Sequence, residues 1–122
     1  MTILNRAGGV LLHPISLPSK YGIGDFGPEA YAFVDFLKLC KQSHWQMLPL
    51  GPVGFGESPY QSFSAFAGNP LLISIDKLIK EGLLLPQDIS VPCEFPAKII
   101  DYPRVKEYKL KLFKVAYSNF LV

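Results

Sequence analysis

Residues 8–50, GGVLLHPISLPSKYGIGDFGPEAYAFVDFLKLCKQSHWQMLPL, decide the fold. Gly8 to His13 is a short apolar run stopped by Pro14, which reads as a buried strand. A Pro- and Gly-rich loop fills 14–27. Pro28 then suits a first helical position, and Glu29 in the first turn complements the helix dipole. The spacing predicts a helix over 28–43, with Ala30, Phe33, Val34, Leu37 and Cys40 on one face and Phe36 and Leu39 widening it. Asp35, Lys38 and Gln42 share the other face. So wide an apolar stripe predicts a helix covered on more than one side. Trp45 to Leu50, WQMLPL, reads as a second strand. Strand, helix and strand in about forty residues make a βαβ unit of an α/β fold, whose crossover should be right-handed.

C-terminal to this unit, residues 51–70 show neither strand nor helix periodicity, yet they hold Tyr60 and three Phe. Leu71 to Ile75, LLISI, is expected to be a third short extended segment. Asp76 is expected to cap a helix running to about Glu81 and closed by Gly82. Residues 83–100 read as loop, with Pro86, Pro92 and Pro96. An amphipathic helix is expected over Tyr102–Val122, with Val105, Tyr108, Leu112, Val115 and Ala116 on one face. Phe120-Leu121-Val122 closes the chain without Gly, cap or polar tail, so the expectation is the N-terminal part of something longer.

Composition narrows the function classes. The chain has 122 residues, is 49% hydrophobic and 18% charged, and carries a net charge of +2, which argues for heavy burial. Basic residues are scattered except on the helix over 104–114, where a solvated face is the ordinary reading; no nucleic-acid partner is expected. No apolar run approaches the roughly 18 residues that span a bilayer. MTILNRAGG lacks the pattern of a signal peptide, so a cytoplasmic protein is expected. Cys40, placed in the first helix, and Cys93, in a loop, suggest neither a disulfide framework nor metal spacing.

In folds built on parallel strands, sites form at the carboxyl ends of the strands. Those ends open into loops 14–27 and 51–70. Gly51, Gly54 and Gly56 permit close backbone approach, but the spacing is not that of a dinucleotide-binding loop. Asp25 and Glu57 are the only carboxylates in the two loops. Glycosyl transfer through a covalent intermediate needs two carboxyls about 5 Å apart. They could form such a pair; a helix-capping Asp and a loop-surface Glu is the preferred reading. His13 follows the first strand, where it could bond a ligand or serve structure. His44 precedes the second strand and is read as inert, and Trp45 as core. Two His and no cysteine cluster give a metal site no support.

Ser58, Tyr60 and Gln61 lie in an S-P-Y-Q turn stiffened by Pro59. Tyr60 could stack on a sugar face and donate through its hydroxyl, or pack under its own loop; Ser58 could bond a ring hydroxyl. Aromatic faces beside hydroxyls and amides suit a sugar chain, and so long an aromatic loop is uncommon unless it shapes a site.

GGVLLHPISLPSKYGIGDFGPEAYAFVDFL, followed by WQMLPLGPVGFGESPYQSFSAFAGNPLLI, strongly resembles the N-terminal region of amylomaltases, the 4-α-glucanotransferases of glycoside hydrolase family 77. The likeness runs over about residues 6–122, and its S-P-Y-Q-S-x-S-A-F-A-G-N-P run is highly specific. The resemblance implies that 1–122 is the N-terminal fragment of a (β/α)8 TIM barrel: about two βα units and the start of an inserted helical segment, with no complete domain boundary. The rest of the barrel would be its partner. It implies retaining transfer of α-1,4-glucan segments between maltooligosaccharide or starch chains, with no metal or organic cofactor. Ser58 and Tyr60 match residues lining the donor-sugar subsite. The nucleophile, acid/base and transition-state-stabilising carboxylates of the family lie beyond residue 122, so no catalytic residue falls in this chain, which alone should be inactive. Some members line a secondary glucan groove with tyrosines. The matching positions here are Phe55, which could still stack on a sugar, and Lys106, which could not in the same way. The competing reading is a non-catalytic or vestigial carbohydrate-binding fragment.

Overall fold

A computed structural model of the chain describes residues 6–64, 66–89 and 94–122; Cys93 lies outside them. Strand β1 (Gly9–Leu11) pairs in parallel with β2 (His44–Gln46), in the register Gly9 to His44, Val10 to Trp45 and Leu11 to Gln46. Helix α1 (Pro28–Leu39) lies between them in sequence. The βαβ unit read from residues 8–50 is therefore present, with strands shorter than 8–13 and 45–50. Single bonds extend the ladder at each end, from the Ser43 amide to the Gly8 carbonyl at 2.9 Å and from the Leu12 amide to the Gln46 carbonyl at 3.0 Å. Beyond them stand Pro14 and Pro49, which have no N–H to donate. Trp45 locks the unit: its indole N–H donates to the Leu12 carbonyl at 2.7 Å, and its ring meets Phe33 of α1 edge-on at 4.9 Å. His44 is the first residue of β2 rather than preceding it, and its side chain is exposed.

Helix α1 starts at Pro28 as expected but stops at Leu39. The residues predicted as its last turn form a Schellman closure instead. Lys41 takes φ +56, its amide donating to the Lys38 carbonyl and that of Gln42 to the Leu37 carbonyl. Cys40 thus caps the helix from outside, and its thiol is exposed. Ala30 and Leu37 are buried on α1, while Tyr31, Val34, Phe36 and Leu39 are exposed.

The buried core lies elsewhere, between loop 14–27, the segment after the aromatic loop, and two further helices. Pro70–Leu72 is a 3-10 turn, not the extended segment LLISI suggests: Pro70 presets its φ and the Asn69 side chain accepts the Leu71 amide at 3.0 Å. Helix α2 (Ile75–Lys80) is capped by the Ser74 hydroxyl, which accepts the Lys77 amide at 3.4 Å. The expected cap, Asp76, falls inside the first turn. Gly82 closes α2 as expected, at φ +75. Within 83–100, Pro86–Asp88 forms a further 3-10 turn.

Helix α3 (Tyr102–Phe120) is capped by Asp101, whose carboxylate accepts the Arg104 amide at 3.3 Å. It ends at Phe120, two residues short of the expected bound. Its buried line is Val105, Lys109, Leu112 and Ala116. Tyr108 is half-buried and Val115 lies largely outside, so the apolar face is rotated toward Lys109. Ile15, Ile23, Leu71, Leu72 and Val105 make one core cluster, and Tyr21, Ile75, Leu84, Leu112 and Ala116 the other. Burying each large aliphatic or aromatic side chain contributes about 1.5–3 kcal/mol. Loop 14–27 takes part because it folds back on itself, the Gly24 amide donating to the Ile15 carbonyl at 3.0 Å. A Cβ at Gly24 would lie 2.1 Å from the Pro14 carbonyl oxygen, so only glycine fits.

Candidate functional site

The aromatic loop leaves the carboxyl end of β2 and is pinched at its neck. The Asn69 amide donates to the Leu50 carbonyl at 3.1 Å, and Val53 bridges Ser62 in antiparallel fashion. The Gly54 amide reaches the Gln61 carbonyl at 3.0 Å, and the Gln61 amide reaches the Ser58 carbonyl at 3.1 Å. Residues 55–60 are thereby presented as a tip. Two consecutive residues there, Gly56 (φ +71) and Glu57 (φ +57), are left-handed and turn the chain sharply. Pro59 then fixes the Ser58–Gln61 turn.

At this tip Tyr60 is 74% exposed and Phe55 is 91% exposed. Packing of Tyr60 under its own loop does not occur. Ser58 is half-buried, and its Oγ accepts the Tyr60 amide at 3.4 Å, which leaves its O–H available to a partner. Phe63 and Phe66, farther along the loop, are also exposed.

Neither loop carboxylate is free. Asp25 does not cap α1, whose N-cap is Gly27. It is buried and paired with Lys109 of α3, Nζ to Oδ2 3.3 Å, and Lys109 also donates to the Leu71 carbonyl at 2.6 Å. Lys109 is 0% exposed. Burial pushes the Asp25 carboxyl up, opposed by the Lys109 charge, the Gly27 amide and the Ser74 hydroxyl. Burial pushes the Lys109 ammonium down, opposed by Asp25. Glu57 is ion-paired with Lys106 one turn earlier on α3, both side chains partly buried. Each carboxylate thus ties a loop to α3.

Reading the sequence missed both lysine partners. The signal for Lys109 is its place in the 105-109-112-116 spacing of one helix face, which residue type masks because a lysine normally faces water.

His13, at the end of β1, is buried with Nδ1 unpartnered, and burial lowers its pKa, favouring neutral imidazole. Among the described residues, no three His, Cys, Asp or Glu converge as a metal site. Nor, among them, is any helix long and apolar enough to cross a membrane.

The family model described as 4-alpha-glucanotransferase matches residues 12–122, nearly the whole chain. The chain belongs to the 4-alpha-glucanotransferase family. Among its relatives, the 4-alpha-glucanotransferase of Synechocystis sp. is 50% identical over 94% of this chain and 23% of that protein. That of Thermus thermophilus is 48% identical over 96% of this chain and 23% of its own length. The chloroplastic/amyloplastic 4-alpha-glucanotransferase of Solanum tuberosum is 42% identical over 95% of this chain and 20% of its own. Among solved structures, an amylomaltase from Streptococcus agalactiae in complex with acarbose superposes with a TM-score of 0.90 at 47% identity, over 96% of this chain and 24% of that one. The chain spans about a quarter of the length of these family members.

Proposed function

We propose that residues 1–122 are the N-terminal part of the (β/α)8 barrel of a cytoplasmic 4-α-glucanotransferase acting on α-1,4-glucans, and that they supply part of its donor subsite. The chemistry would be a retaining double displacement. A carboxylate attacks the anomeric carbon, and a maltodextrin acceptor intercepts the glucosyl-enzyme. Both carboxylates would come from later strands, because Asp25 and Glu57 are committed to lysines of α3. The acarbose complex of the similar amylomaltase supports placing an oligosaccharide on this fold.

The observation that carries the reading is the exposed Tyr60 ring on a proline-stiffened turn beyond the carboxyl end of β2. Its face would stack on the donor sugar while the Ser58 hydroxyl bonds a ring hydroxyl. Phe55 would offer a second apolar face to a longer glucan. Fixed in advance, such contacts position the glucan for attack and screen the intermediate from water. No metal or organic cofactor is required by this chemistry.

The test compares purified 1–122 with the longer protein that carries it, each incubated with maltotriose. The longer protein should yield glucose and a ladder of longer dextrins, and 1–122 none above background. A ladder from 1–122 would mean that a carboxylate of this chain does the chemistry.

A further inference from the structure

Glu57 and Lys106 are joined across 49 positions of sequence by an ion pair between the tip of the aromatic loop and α3. Three features mark it as more than a surface contact. First, Glu57 holds a left-handed backbone conformation (φ +57) that side chains other than glycine rarely adopt, and it follows Gly56 at φ +71. Second, its carboxylate reaches inward: Oε2 is buried without a partner, and its charge adds to burial in raising the phenol of Tyr102, which lies on α3 with Lys106. Third, the turn bearing Ser58 and Tyr60 begins at the next residue, so the direction in which Glu57 leaves the backbone sets the direction of that turn. The bonds between Gly54 and Gln61, between Ser58 and Gln61 and from the Glu57 amide to the Gly54 carbonyl shape the tip but are internal to the loop, so they cannot fix the pose of the tip on the body of the protein.

We infer that Glu57 and Lys106 are positioning residues: they latch the tip of the aromatic loop to α3 and so hold Tyr60 and Ser58 in the pose that receives the glucan. This rests on the donor-subsite reading above. Neither residue need touch sugar. With the pair broken, the tip samples other poses, and the cost falls on binding.

The experiment uses the full-length protein, with Glu57→Gln, Lys106→Met, the charge-exchanged double variant Glu57→Lys/Lys106→Glu, and Tyr60→Ala in parallel. Disproportionation of maltotriose gives KM and kcat, thermal unfolding gives Tm, and amide exchange reports on residues 54–61. Each single variant should raise KM about two- to fivefold, the range a partly exposed ion pair supplies, with kcat and Tm little changed. Amides of the tip should exchange faster, and charge exchange should recover part of the KM. Singles with unchanged KM and unchanged exchange, beside an impaired Tyr60→Ala, overturn the latch alone. A silent Tyr60→Ala overturns the donor-subsite reading on which it stands. Singles that lower Tm without moving KM also overturn it, because they would show a structural tie only.

Discussion

Lys109 is the residue on which the core turns. Its ammonium sits among Asp25, the Leu71 carbonyl and the ring of Phe113, 5.8 Å from the ring centroid. One side chain thereby joins α3 to the loop after β1 and to the turn after the aromatic loop. Removing one partner of a buried pair strands the other, at a cost of about 3–5 kcal/mol. Lys109→Met should therefore lower stability in urea unfolding by about that much, and Asp25→Leu/Lys109→Met by clearly less. Equal losses would show that Asp25 is not the stranded charge. Tyr21 governs the alkaline side. It is almost fully buried and donates to Asp76 at 2.7 Å; burial, then that bond, raise its phenol well above the ordinary value. The unfolded phenol ionises near pH 10, so the stabilisation is complete below about pH 10 and is lost as pH rises toward the folded pKa. The unfolding midpoint should fall more steeply above pH 10 in the parent than in Tyr21→Phe. Parallel slopes would contradict this.

Among the elements, the two Schellman closures make a natural comparison. Gly82 ends α2 at φ +75 and Lys41 ends α1 at φ +56, with the same pair of bonds back to the helix. Only the second carries a Cβ in the left-handed region. Lys41→Gly should raise stability by about 0.5–1 kcal/mol, and Gly82→Ala should lower it by about 1 kcal/mol. A destabilising Lys41→Gly, read from denaturant midpoints, would point to a role for the lysine side chain that offsets the strain. Legibility follows the same lines. Pro28 announced a helix start because its ring fixes φ and it has no N–H to satisfy, and Gly82 a helix end because glycine takes the left-handed region without strain. Lys41 announced nothing, because its conformation is imposed by the chain turning toward β2. Ser74 and Asp76 are both good caps in isolation, and Asn69-Pro70 decided between them by using up the preceding residues in a tight turn. The aromatic loop was legible in composition as a candidate site. Its fastening was not, because Glu57 and Lys106 are 49 positions apart and no periodicity links them.

For the whole molecule, much apolar surface faces outward. Tyr31, Val34, Phe36 and Leu39 are exposed on α1, and Leu11 of β1 is exposed as well. The sequence reading that α1 should be covered on more than one side stands against a structure in which the described residues leave these side chains exposed. Contiguous apolar patches of several hundred Å² promote association, so purified 1–122 should scatter light as an associated species with weakly protected strand amides. A monodisperse monomer with strong protection in β1 and β2 would contradict this. On the proposed reading, the aromatic loop is built for a glucan and not for its own packing. The most direct measurement is maltotriose disproportionation by Tyr60→Ala in the full-length protein, with its melting temperature taken alongside. A stacking contact strengthened in the transition state contributes about 1–3 kcal/mol, so the rate should fall roughly tenfold to a hundredfold with Tm nearly unchanged. Parental kinetics with a depressed Tm would contradict the claim.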